Sequence, residues 1–190
     1  MMSHDPANPA ALPAAMSASI TIRPVSPQDM PDITAIYAHA VLHGTASFEM
    51  EPPTEAEMTA RRQSLESGDF PYLVADIGGR IAGYAYAGPY RPRIAYRYAV
   101  EDSVYIHPDA HRQGIGRRLL SELIAQAEAR GFRQMIAVIG DSAQTSSIEL
   151  HRLLGFAPVG RFANIGFKHG RWLDSILMQR ALGEGAATLP

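Results

Sequence analysis

Val104-Tyr105-Ile106-His107-Pro108-Asp109-Ala110-His111-Arg112-Gln113-Gly114-Ile115-Gly116-Arg117-Arg118-Leu119-Leu120 reads as a strand, a turn, a glycine-bearing loop and then a helix. Glycines at 114 and 116 let the backbone amides from Gln113 to Arg117 turn inward around an anion, and the helix N-terminus adds its partial positive charge. The stretch therefore predicts a pyrophosphate cradle. A P-loop would carry Lys-Ser/Thr after its second glycine, where this chain has Arg117-Arg118. A dinucleotide fingerprint would need glycine or alanine where Leu119 stands. Both fail on spacing, leaving as the competing account a glycine-rich turn with no ligand. The strand before it and the helix after it weigh against that account.

Working outward, the helix runs from about Gly116 to Arg130, with Leu119, Leu120, Leu123, Ile124 and Ala127 on one apolar face and Gly131 as its stop. Upstream, Ser19 to Pro24 alternates like a strand, and Ser26-Pro27-Gln28-Asp29 is helix-start chemistry before the stripe Ile33, Ile36, Tyr37, Ala40 and Val41. Thr54 with Glu57 reads as a capping box for a second helix to about Ser67. Tyr72 to Asp76 and Arg80 to Tyr86 flank Gly78-Gly79 as a hairpin, and a polar loop leads to a strand over Asp102 to His107. Downstream come a buried strand at Met135 to Ile139, a helix over Ser147 to Leu154, and strands around Val159 to Phe167 and Asp174 to Arg180. The order β-α-α-β-β-β-α-β-α-β-β predicts a mixed α/β layer structure in one domain over residues 19–182. Residues 1–18, rich in alanine and proline, read as a disordered tail, and 183–190 as a flexible one.

Composition narrows the chemistry. At 190 residues and 46% hydrophobic content, the chain can bury a core without staples. It has no cysteine, which excludes disulfides, zinc-thiolate sites and acyl-cysteine intermediates. Basic residues (17) and acidic ones (19) are interspersed, so no phosphate-tracking stripe forms and nucleic acid is not an expected partner. No apolar run approaches a membrane span, and Pro9 and Pro13 interrupt the place where a signal peptide would lie, so a cytoplasmic protein is expected. His39/His43 and His107/His111 share an i,i+4 spacing, but Pro108 breaks the second pair and the first lacks a third ligand, so no metal is expected.

The Gly114-Ile115-Gly116 loop resembles the acyl-CoA motif of the GNAT acetyltransferases, with His111 where that motif carries Arg or Gln. The likeness extends from about Ile20 to Arg180. It is strongest to the phosphinothricin and methionine sulfoximine acetyltransferase group, through Ala85-Tyr86-Ala87-Gly88-Pro89, Ala95-Tyr96-Arg97, Val100-Glu101-Asp102-Ser103, Leu150-His151, Leu154-Gly155-Phe156 and Gly166-Phe167-Lys168-His169-Gly170. The resemblance implies a GNAT fold: a central mixed, mostly antiparallel sheet flanked by helices and splayed at the acetyl-CoA site. It implies that Val104, Tyr105 and Ile106 pair with the pantetheine arm, that Arg112, Gln113, Gly114, Ile115, Gly116 and Arg117 hold the pyrophosphate, and that Gln144 and Ser147 add cofactor contacts. It also implies a homodimer and a small amino-acid-like acceptor.

Acetylating an amine requires a free lone pair, whereas a terminal amine is largely protonated near neutrality, so a general base is needed. The resemblance places Glu101 in that role, against the plain alternative of a solvated strand-end carboxylate. His151 matches a histidine used as a second base or as an orienting group, and a half-buried structural histidine is its rival account. Arg91, Arg93 and Tyr96 are candidates for holding an anionic acceptor group, because guanidinium forks suit carboxylate and phosphinate; ordinary loop solvation is the alternative. Phe48 resembles a pocket-wall residue, or else packs in the core. Transfer to a peptide amine, and a catalytically silent acyl-CoA sensor, are the rival functions.

Overall fold

A computed structural model describes residues 19–190, so the stretch 1–18 expected to form a tail lies outside the described residues. β1 (Ile20–Pro24) leads into a 3-10 turn and α1 (Met30–His43). The Ser26 backbone N–H and hydroxyl both donate to Asp29 Oδ2, at 2.7 and 2.9 Å, which satisfies groups that would otherwise be orphaned at the helix start. α2 (Glu55–Ser67) opens on the capping box anticipated at Thr54, where the Glu57 N–H donates to Thr54 Oγ1 and the Thr54 N–H donates back to Glu57 Oε2.

β2 (Tyr72–Ile77), β3 (Arg80–Pro89), β4 (Ala99–Ile106), α3 (Ile115–Ala129), β5 (Gln134–Gly140), α4 (Thr145–Leu153), β6 (Ala157–Lys168) and β7 (Arg171–Ala181) complete the chain. The seven strands form one sheet in the order β1-β2-β3-β4-β5-β7-β6, antiparallel throughout except where β4 meets β5. That parallel pair needs a crossover, which α3 provides.

Alternation along the strands builds a core on each face of the sheet. On β2, Leu73 and Ala75 join Leu119, Leu120, Leu123 and Ile124 of α3. Their neighbours Tyr72 and Val74 join Ile33, Ile36 and Val41 of α1 and Met58 of α2. Strand ends differ from expectation where pairing extends them. β4 begins at Ala99 rather than Asp102 because Ala99 already has a partner in Gln134. β6 and β7 reach inward to a tight turn at His169-Gly170, both at positive φ.

One interruption matters most. β4 pairs with β5 only from Ala99↔Gln134 to Asp102↔Ala137. Beyond that point β4 stays with β3, up to Ile106↔Gly83, while β5 stays with β7, up to Gly140↔Ser175. The sheet opens there into a wedge, leaving the β5-facing edge of Ser103 to Ile106 without a strand partner.

Candidate active site

A cavity of about 500 Å³ fills the wedge. β4 supplies its wall from Glu101 to Tyr105, β5 from Ala137 to Gly140, the loop before α2 from Ala46 to Glu49, and α4 adds Ser147 and His151. Glu101 pairs in register with Gly88 on one side and Ile136 on the other, so its position is fixed by two strands. Burial raises its carboxyl above the usual carboxylate range, the neighbouring Asp102 adds to that, and the Arg91 cation opposes it. The raised carboxyl holds a proton more readily than an exposed glutamate does.

Asp102 sits beside Glu101 and makes the contact that sequence reasoning missed. Its Oδ2 lies 2.9 Å from His151 Nε2, with both side chains almost wholly buried. The other ring nitrogen, Nδ1, donates to the Ser147 carbonyl at 2.7 Å. Burial alone would lower His151, but the Asp102 hydrogen bond and charge, with the Ser147 carbonyl, outweigh it and hold the imidazole above its ordinary range. Both ring nitrogens are thus engaged with oxygen acceptors. His151 lines the cavity, yet it has no free lone pair to offer there. Asp102 Oδ1, buried, has no hydrogen-bond partner.

The loop before α3 turns through left-handed backbone. Gly114 has φ +76°, a left-handed conformation, with nothing within 4 Å of where a Cβ would point. Arg112 is also left-handed, at φ +61°. The first backbone bond of α3 runs from the Arg118 N–H to the Gly114 carbonyl, so the N–H groups of Ile115, Gly116 and Arg117 find no partner within the helix. His111, where the GNAT motif has Arg or Gln, folds back so that Nε2 meets the Ile106 carbonyl at 3.2 Å. Gln113 donates to the Asp109 carbonyl at 3.0 Å, tying the loop to itself.

Gln144 and Ser147 line the cavity, and Gln144 Nε2 donates to Thr45 Oγ1 at 3.1 Å. Phe48 also lines it. Arg91, Arg93 and Tyr96 are exposed and stand outside the cavity wall, with Arg91 stacked over Tyr90. Of the eight tyrosines, Tyr86 and Tyr105 face the cavity, a selection that no sequence pattern made. Burial raises both phenols, and at Tyr86 a hydrogen bond with Ser103 works in the opposite direction. Among the described residues no group of three or more His, Asp or Glu is placed to hold a metal ion. The His39 and His43 rings simply touch, at 4.6 Å.

An open mixed sheet parted beside a helix N-terminus defines an acyl-CoA-type transferase architecture, and comparison agrees. Residues 34–156 match the Acetyltransferase (GNAT) family, and the chain belongs to it. It is 54% identical over 170 residues to a phosphinothricin N-acetyltransferase of Alcaligenes faecalis, covering 90% of this chain and 86% of that one. It is 40% identical to an L-methionine sulfoximine/L-methionine sulfone acetyltransferase of Salmonella typhimurium, covering 88% and 98%. The crystal structure of a GNAT phosphinothricin acetyltransferase from Sinorhizobium meliloti in complex with AcCoA superposes with a TM-score of 0.88 at 52% identity, covering 90% of this chain and 92% of that one.

Proposed function

We propose that this acetyltransferase moves the acetyl group of acetyl-CoA directly to the amine of a small amino-acid-like acceptor of the phosphinothricin or methionine sulfoximine type. The observation that carries the reading is the wedge: an unpaired β4 edge beyond Asp102, a helix N-terminus after it and a half-buried carboxylate, Glu101, in the cavity wall just before the strands part. The site suits acetyl-CoA. Val104 to Ile106 offer backbone groups to the amide-bearing pantetheine arm, and the loop from Arg112 to Arg117 offers amides to the pyrophosphate.

In this mechanism both substrates are bound together. Glu101, directly or through a water, accepts a proton from the acceptor's ammonium and frees its lone pair. The amine nitrogen then attacks the thioester carbonyl, whose oxygen the cofactor strand polarises; as the C–S bond breaks, the nitrogen gives up its second proton to solvent and the sulfur leaves with a proton, so that amide and thiol form together. Tyr86 or Tyr105 is placed to give that proton. His151 orients: it holds Asp102, and through it the stretch of β4 that carries Glu101. Phe48 forms an acceptor wall, and Arg91, Arg93 and Tyr96 make a rim for the acceptor's anionic group; the Arg91 charge is felt at Glu101. We further place the protein in the cytoplasm, with no nucleic-acid or membrane partner, as a homodimer. No described helix is long and apolar enough to cross a membrane, and β6 presents an apolar edge suited to a second copy.

The deciding experiment is CoA release from acetyl-CoA across phosphinothricin, methionine sulfoximine, common amino acids and short peptides. Turnover confined to the small amino-acid analogues is expected. Preference for peptides would move the acceptor class, and acetyl-CoA binding without any turnover would make the chain a sensor.

A further inference from the structure

The loop between α1 and α2, which carries Ser47, Phe48 and Glu49 into the cavity wall, is fastened from behind by a buried cation. Lys168, the last residue of β6, is 2% exposed, and its Nζ donates to the Ser47 carbonyl at 2.7 Å. An ammonium in a protein interior is expensive to desolvate. Spending one on a backbone carbonyl, 121 residues away in sequence, asks for a reason.

The surroundings supply it. Next to Lys168, His169 Nε2 meets the Gly44 carbonyl at 3.1 Å. Thr45 Oγ1 donates to Asp141 Oδ2 at 3.1 Å, and Asp141 is itself gripped by Arg171. The Ser47 hydroxyl bonds the Tyr37 hydroxyl at 2.9 Å. Phe48 drops into a slot that exists because Gly140 and Gly166 have no side chains; a Cβ on either would strike its ring. Lys168 is not among the residues lining the cavity, whereas the segment it holds is. The cradle around Gly114 belongs to a different element and shares none of these ties.

We infer that Lys168 is a positioning residue that fixes the 44–49 loop and thereby shapes the acceptor end of the cavity, leaving the pyrophosphate cradle around Gly114 untouched. This rests on the acetyltransferase reading above. In the full chain, Lys168→Met keeps an unbranched apolar stem and removes the donor. The acceptor KM then rises about tenfold or more, as expected for losing a hydrogen bond to a charged group. kcat changes less, acetyl-CoA Kd by calorimetry stays within about twofold, and amide exchange accelerates across 44–49 but not in α3. Lys168→Arg, keeping a cationic donor, recovers part of the acceptor affinity, and His169→Ala shifts the same readouts in the same direction by less. Parent-like acceptor KM and exchange in folded Lys168→Met overturn the inference, as does an equal loss of acceptor and acetyl-CoA binding. If Lys168→Met does not fold, His169→Ala decides on the same measurements. Failure of the parent itself to turn over any small amine defeats the acetyltransferase reading, and the acceptor role with it, without involving the variants.

Discussion

Glu101 was legible as a candidate base because it stands in a motif; its environment was not, because burial and the charge of Arg91 are set by other elements. Two consequences follow at this position. Glu101→Gln keeps the shape but cannot take a proton, so turnover at pH 7 falls by about 10²–10⁴ while acetyl-CoA binding survives, and part of the rate returns as rising pH deprotonates the free amine. Parent-like turnover at pH 7 would remove Glu101 from the role. The second consequence is thermodynamic. A carboxyl raised in the folded state holds its proton more readily there than in the unfolded chain, so stability falls as pH climbs from the ordinary carboxylate range through the raised value. Glu101→Gln therefore melts higher than the parent at pH 7 and equally at pH below that range, a comparison for calorimetry. The Asp102 contact could not be read from sequence, since its partner lies 49 residues away on another element. His151→Leu strands a buried carboxylate and costs about 3–5 kcal/mol in urea denaturation, a loss reduced when Asp102→Asn is added. Because His151 is raised in the folded state, the pair's contribution is complete below the ordinary imidazole range and is lost as pH rises through the raised value.

Caps and glycines made the elements readable: Thr54 with Glu57 opens α2, and the apolar face of α3 was evident from Leu119 to Ala127. Limits set by pairing were less visible, as at Ala99, because a strand's first residue depends on a neighbour that local pattern does not name. The cradle loop gives the sharpest prediction at this scale. Valine at Gly114 must adopt φ near +76°, which costs about 1–2 kcal/mol for a side-chain-bearing residue and more for a branched one. A Cβ at Gly114 meets nothing within 4 Å, and in the proposed reading that space takes the pyrophosphate. Gly114→Val is therefore expected to stay folded with a modest loss of stability and to weaken acetyl-CoA sharply in calorimetry. A folded variant with parent affinity would take the pyrophosphate away from this loop.

Across the whole molecule, the order of elements along the chain was plain from pattern, whereas the placing of β7 between β5 and β6 was not, since strand order follows from long-range pairing. That placing leaves β6 as the sheet's edge, and its residues from Ala157 to Ile165 are exposed. Val159, Phe162, Ile165 and Phe167 stand on it, with Trp172 against Phe167 at 5.2 Å. A long edge strand with apolar side chains and unspent backbone groups invites association unless something covers it. Covering by a second copy through a two-fold axis closes the surface on itself, whereas a head-to-tail contact would leave an edge open and propagate. The homodimer proposed above is therefore expected to bury this edge. Ile165→Glu should shift the mass measured by light scattering on a sizing column from dimer toward monomer, with the fold intact by circular dichroism. Because β6 also carries Lys168, the monomer should lose acceptor affinity more than acetyl-CoA affinity. A dimer that survives Ile165→Glu and Phe162→Glu together would place the interface elsewhere, and a parent that runs as a monomer would leave the β6 edge without the partner assigned to it.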